Sequence, residues 1–398
     1  MEFIKIEQLG LILLVGAIVA VVARRLKIPY TVGLVASGFF IRFLPLSFEI
    51  NLSKELLFKV LLPPLIFEAA LYIDWRELRK DLAVVLTFAT LGVLLSAFVT
   101  ALLMRLLVGW EWSAAIMFGV LIAATDPVSV IATFKEARVE GRLRLLVEAE
   151  SLFNDATAAI AFTAAIAFAL GQNFGFASAA AAMFLSIVGG IVCGLLVGAA
   201  VLLLAARTND HLVEISLTTV AAFGSFWLAE NFHLSGILAT MTAGLLVGNT
   251  ASLGFLTDKG KESIESFWEF AAFVANSVVF VVLGVSVANQ DFASAFFSIA
   301  AAILAVIIGR AFAIYPCSLL FSRTSLKIDS RHRHVLFWGG LRGALALALA
   351  LGIPEQIAYR QQIILVTFGV VAFSIFAQGL TMTPFLRRLG QIPHQKEV

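Results

Sequence analysis

Apolar stretches long enough to cross a bilayer recur from one end of this chain to the other, and that repetition constrains the fold more than any single motif does. A membrane helix needs about 20 mostly apolar residues to cross ~30 Å of hydrocarbon. Runs that meet this need lie at 6–23, 28–46, 56–73, 82–108, 113–134, 145–170, 178–206, 211–229, 234–250, 262–288, 293–321, 334–353 and 361–386. They predict an all-α integral membrane protein with about thirteen transmembrane helices in contact with lipid, residues 1–398 forming a single membrane domain. Composition agrees, with 14% of residues charged against roughly 25% in soluble domains.

The net charge of +2 and the lack of any Lys/Arg-rich tract argue against a nucleic-acid partner. Cys193 and Cys317 each sit inside an apolar run, where small thiols pack, so neither a disulfide nor a metal cluster is expected. The first run has no basic segment before it and no small-residue cleavage site after it, and reads as a retained span. About a dozen residues follow the last run, too few for a folded regulatory domain. Most Lys and Arg residues fall in loops on one side, including Arg76, Arg79, Lys80, Arg142, Arg144, Arg331 and Arg333. The loops on the opposite side carry only Lys5, Arg42, Lys54, Arg105 and Arg360. The positive-inside rule therefore puts the N-terminus outside and the C-terminus in the cytoplasm.

Two runs contain a breaker near the middle. Thr125-Asp126-Pro127 interrupts the fifth: Asp is favoured as a helix cap and Pro at the first helical position, so a new half-helix is expected to start there. Gly339-Gly340-Leu341-Arg342-Gly343 interrupts the twelfth. The two runs are seven apart in the order of spans, so they traverse the bilayer in opposite directions. A matched pair of broken helices, each with a charge, is the pattern of an inverted-repeat transporter whose discontinuous helices cross at a midplane site.

Ionisable groups inside spans are costly, about 2.5 to 3.5 kcal/mol for Asp or Arg at a helix centre on insertion scales. The deep set is Glu68, Asp126, Glu150, Asp155, Arg310 and Arg342. Helical spacing puts Ser151 and Asp155 on one stripe and Glu150 and Asn154 on its neighbour. The first stripe can offer hard oxygens to a cation and the second can brace it, while an unwound segment at Thr125 exposes backbone carbonyls. Each residue also has a structural reading. Asp155 could pair with a buried arginine, and Asp126 could simply cap a half-helix. Glu68, after Pro63-Pro64, reads as a partner of Arg310 or Arg342, and Arg342 as the charge that balances helix ends where the breaks cross.

These segments resemble the NhaP-type sodium/proton antiporters, the prokaryotic branch of the family that includes the animal sodium/proton exchangers. The resemblance is carried by LPPLIFEA from Leu62, LIAATDPVSV from Leu121, ESLFNDA from Glu150, HLSGILATMTAGLLVGN from His233 and GGLRGA from Gly339. It implies a thirteen-helix antiporter fold, a homodimer with a core domain that moves against a dimerisation domain, and a multi-pass protein of a prokaryotic inner membrane. It implies Asp155 as the ion- and proton-binding aspartate and Asn154 as its partner. Asp126 and Thr125 match the broken-helix residues beside the ion, Glu150 and Ser151 the polar residues one turn earlier, and Arg342 the arginine of the second break.

One carboxylate that holds either H⁺ or Na⁺ (or Li⁺), but not both, enforces exchange, because an empty charged site crosses poorly. With Asn154 beside Asp155 in place of a second aspartate, one proton balances one cation, and no cofactor is needed. Glu150 would add a second titrating group unless Arg342 neutralises it or it is held protonated throughout. Two rival readings are a sodium-coupled symporter of an organic anion and an intramembrane aspartyl protease using Asp126 and Asp155. The latter lacks the Gly-x-Gly-Asp context.

Overall fold

The computed structural model describes residues 6–26, 28–42, 53–126, 130–131, 134, 139–171, 176–250 and 255–392. Every regular element among them is a helix. In chain order these are α1 (Ile6–Leu26), α2 (Tyr30–Ile41), α3 (54–71), α4 (Trp75–Val108), α5 (Trp112–Leu121), α6 (Arg142–Ala169), α7 (Phe176–Ala205), α8 (His211–Asn231), α9 (Gly236–Thr250), α10 (Asp258–Ala288), α11 (Phe296–Leu320), α12 (Ser330–Trp338), α13 (Ala344–Leu351) and α14 (Arg360–Arg388). Among the described residues, eight helices are long and apolar enough to span, and α2, α5 and α9 are shorter apolar helices.

The spans lie where the apolar runs predict them, with one instructive extension. The run 82–108 predicts a span that starts at 82, yet α4 starts at Trp75. Asp74 is the reason, since its carboxylate accepts from the Arg76 backbone N–H at 2.6 Å and caps the new helix. Both expected breaks are present. The fifth run stops as helix at Leu121, and the twelfth is split into α12 and α13 with residues 339–343 non-helical between them. The half-helix expected to start at Pro127 lies outside the described residues.

Contacts divide the chain into two compact units. One comprises Met1–Lys54, Asp81–Gln172 and Ser277–Val398, and the other Glu55–Lys80 and Asn173–Asn276. In the first unit, the Val93–Val108 portion of α4 packs against both α5 and α11. Near one end of this unit, Arg142 donates to Asp81 at 2.7 Å and to the carbonyls of Leu326 and Lys327 at 2.8 Å. A single guanidinium thus ties α4, α6 and the segment before α12 together. In the second unit, α9 packs between α3 and α7, and Trp268 on α10 donates to Thr218 on α8 at 3.0 Å. Cys193 and Cys317 are both buried and unpaired.

Within the first unit, α2 crosses the last turns of α10 at backbone contact. A Cβ at Gly38 would strike the Val281 carbonyl, and one at Gly284 would strike the Val35 carbonyl. Small residues allow such approach where lipid supplies no hydrophobic drive between helices. Gly284→Val should therefore cost about 1–3 kcal/mol by overpacking, read as a lowered melting temperature in detergent. Gly10→Ala is the control, since no atom lies within 4 Å of its added methyl. Equal melting temperatures for the two variants would count against this crossing.

Candidate functional site

All of the sequence-predicted site residues except Glu68 belong to the first unit, and they converge where the two breaks meet. Glu68 lies on α3 in the second unit, where Tyr72 is its i+4 neighbour. The breaks are cross-linked through their backbones. Asp126 N–H donates to the Leu341 carbonyl at 2.7 Å, and Arg342 Nη1 donates to the carbonyls of Ala123 and Ala124 at 2.8 and 3.0 Å. Those carbonyls lie in the non-helical segment just past the last turn of α5, where no further helical turn follows to give them a donor. The arginine supplies one, together with positive charge at the negative end of the dipole. Gly343 completes the interlock, because a Cβ there would overlap the Asp126 carboxylate.

Arg310, on α11, performs the matching task at the second break. Its Nη2 donates at 2.9 Å to the carbonyl of Leu336, in the last turn of α12. The same guanidinium grips Glu150 with two bonds, Nη1 to Oε1 at 2.7 Å and Nη2 to Oε2 at 3.0 Å. Both side chains are almost fully buried, at 7% and 3% exposure. Each arginine thus closes the C-terminal end of one broken helix. The mid-span position of Arg310 tells the reader that it needs a partner, but four carboxylates qualify on sequence alone, and packing selects Glu150.

Thr125 sits inside the first break and joins it to α6. Ser151 Oγ donates to the Thr125 carbonyl, and Thr125 Oγ1 donates to Ser151 Oγ at 3.2 Å. Asn154 Nδ2 lies 3.3 Å from both Thr125 Oγ1 and Glu150 Oε1, bridging the hydroxyl to the Arg310 ion pair. The i,i+4 arrangement expected on α6 is therefore realised as one bracing chain, Arg310 to Glu150 to Asn154 to Thr125. Arg310, Glu150 and Thr125 line a small crevice together with Ser151 and Gly339. Asp155 meets this chain only at Thr125, whose backbone N–H donates to its carboxylate. Its Oδ1 is buried and accepts no hydrogen bond, and its charged neighbours are Asp126, Glu150 and Arg342. Asn154 Oδ1 is likewise buried without a donor. A hard-oxygen cluster with one carboxylate oxygen left without a donor among the described residues, next to an unwound backbone, can hold a small cation or a proton.

Comparison with known proteins agrees with this architecture. A family model described as sodium/hydrogen exchanger, transmembrane, matches residues 10–388. The chain is 37% identical to the low-affinity Na⁺/H⁺ antiporter NhaS1 of Synechocystis sp., covering 99% of this chain and 76% of that protein. It is 39% identical to the Na⁺/H⁺ antiporter ApNhaP of Aphanothece halophytica, over 92% of this chain and 70% of the relative. Its fold superimposes on that of the sodium proton antiporter MjNhaP1 from Methanocaldococcus jannaschii with a TM-score of 0.78 at 21% identity, over 99% of this chain and 100% of that one. Matched along nearly its whole length, and with both helix breaks in place, this multi-pass membrane chain belongs to the sodium/hydrogen exchanger family.

Proposed function

We propose that the protein is a secondary active antiporter that exchanges Na⁺ or Li⁺ for H⁺, one for one and without net charge movement, and that it is not an enzyme. The observation that carries this reading is the division of labour between two carboxylates on α6, Glu150 buried and Asp155 half-buried. Both oxygens of Glu150 are committed to Arg310, whereas Asp155 Oδ1 accepts no hydrogen bond. Of the two, Asp155 is the one left to trade a proton for a cation. Ser151, Thr125 and Asp126 supply further oxygens for the ion, and Asn154, Glu150, Arg310 and Arg342 hold the frame. Alternating access exposes the site to one side and then the other, and a deprotonated empty site is held back by the cost of an unpaired charge in hydrocarbon. The ions are substrates, and no cofactor is required.

The relatives' names, antiporters in each case, support exchange over organic-anion symport or proteolysis. We further propose that the whole chain works as one transport domain within a homodimer, in the inner membrane of a prokaryote, with the N-terminus outside and the C-terminus cytoplasmic.

The test is purified protein in vesicles with an imposed pH gradient and each alkali cation added in turn. Na⁺ or Li⁺ should dissipate the gradient, and a clamped membrane potential should leave the initial rate unchanged. A rate that climbed steeply with the potential would mean that a second carboxylate titrates, and Glu150→Gln would then be expected to remove the voltage dependence.

A further inference from the structure

The second break is held from behind by α14. This helix contains a π-turn at Ser374–Gly379, a wide turn often found at functional positions in helices. Ser374 Oγ accepts the Arg342 backbone N–H at 2.8 Å and donates to Gln378 Oε1 at 2.7 Å. Ser374, Gln378 and Arg342 are all buried, so neither bond can be exchanged for water without cost. Farther along α14, Thr381 accepts from Trp338 Nε1, at the end of α12, at 2.9 Å. One helix thus grips both lips of the break.

The Ser374 contact is the more consequential, because it falls on the residue whose guanidinium reaches Ala123 and Ala124. We propose that Ser374, its hydroxyl aimed by Gln378, is a positioning residue for the cation site. It fixes the backbone at Arg342, and through the guanidinium and the Leu341 carbonyl it fixes the first break around Thr125 and Asp126. It touches no cation itself. Loosening this tether lets the oxygens around the ion drift and weakens cation binding, while the proton-carrying carboxylate stays intact. The inference rests on the exchange reading above.

The experiment measures Na⁺-dependent proton movement in vesicles for the parent, Ser374→Ala, Ser374→Thr and Gln378→Leu, with melting temperature and reconstituted amount recorded for each. Ser374→Ala should raise the apparent KM for Na⁺ about tenfold, the equivalent of losing one buried hydrogen bond, with the maximal rate within about twofold of the parent. Ser374→Thr, which keeps the hydroxyl, should restore KM, and Gln378→Leu should give an intermediate value. A merely structural serine would lower the melting temperature and maximal rate and leave KM alone, and that outcome overturns the proposal. Should Ser374→Ala fail to insert, Gln378→Leu decides, and a parental KM there overturns it too. A parent that moves no protons with any alkali cation overturns the exchange reading as well, whereas an active parent matched in KM by Ser374→Ala removes only this proposal.

Discussion

Asp155→Asn is expected to reduce cation-driven proton movement to the level of empty vesicles, while yield and melting temperature stay at or above those of the parent. The substitution keeps the shape of the side chain and removes the one group able to exchange a proton for a cation. Stability should not suffer, because Asp155 Oδ1 is buried without a hydrogen-bond donor and two further carboxylates, Asp126 and Glu150, lie nearby. A charge in that setting costs free energy in the folded state, and a neutral amide relieves it. Asp126→Asn is the informative contrast. The Asp126 backbone N–H holds the Leu341 carbonyl, a contact that its side chain does not supply. Proton movement near the parental rate in Asp155→Asn would refute the assignment of this residue as the carrier.

The second large effect concerns stability. Arg310→Met should destabilise the protein by about 3–5 kcal/mol, the usual consequence of leaving one member of a buried ion pair uncompensated. The loss has two sources. Glu150 loses both guanidinium donors and keeps only the weaker Asn154 amide among the described residues, and the Leu336 carbonyl loses its guanidinium donor at the end of α12. Adding Glu150→Gln to Arg310→Met should recover much of the loss, because the buried charge is then gone and only the carbonyl stays unmet. Glu150→Gln alone leaves Arg310 with Leu336 and should be milder than Arg310→Met. Additive effects of the two substitutions in detergent melting would show that the pair is not coupled.

Much of this architecture is legible in the sequence, because hydrocarbon thickness imposes a length and proline or glycine clusters impose breaks. The start of α4 is the informative exception. Hydropathy places it at 82, although Asp74 and Glu77 form the cap and third-residue acid that announce a helix start, and Trp75 to Lys80 is a helical turn too polar for an apolarity criterion. The site divides in the same way. Ser151, Asn154 and Glu150 are readable from i,i+4 spacing within one helix. The choice of Glu150 by Arg310, and of the Arg342 backbone by Ser374, are contacts between helices far apart in the chain, and spacing along the chain holds no information about them.

The interlock of the two breaks also bears on how such a chain can change over generations. Replacing Arg342 strands two carbonyls of the other segment, and placing any side chain at Gly343 strikes Asp126. Neither segment can be rebuilt one substitution at a time without passing through a damaged protein. Variation in ion preference must then enter through positions around the crossing, on α6 and α14, which can shift the oxygens by fractions of an ångström while the knot itself is inherited whole.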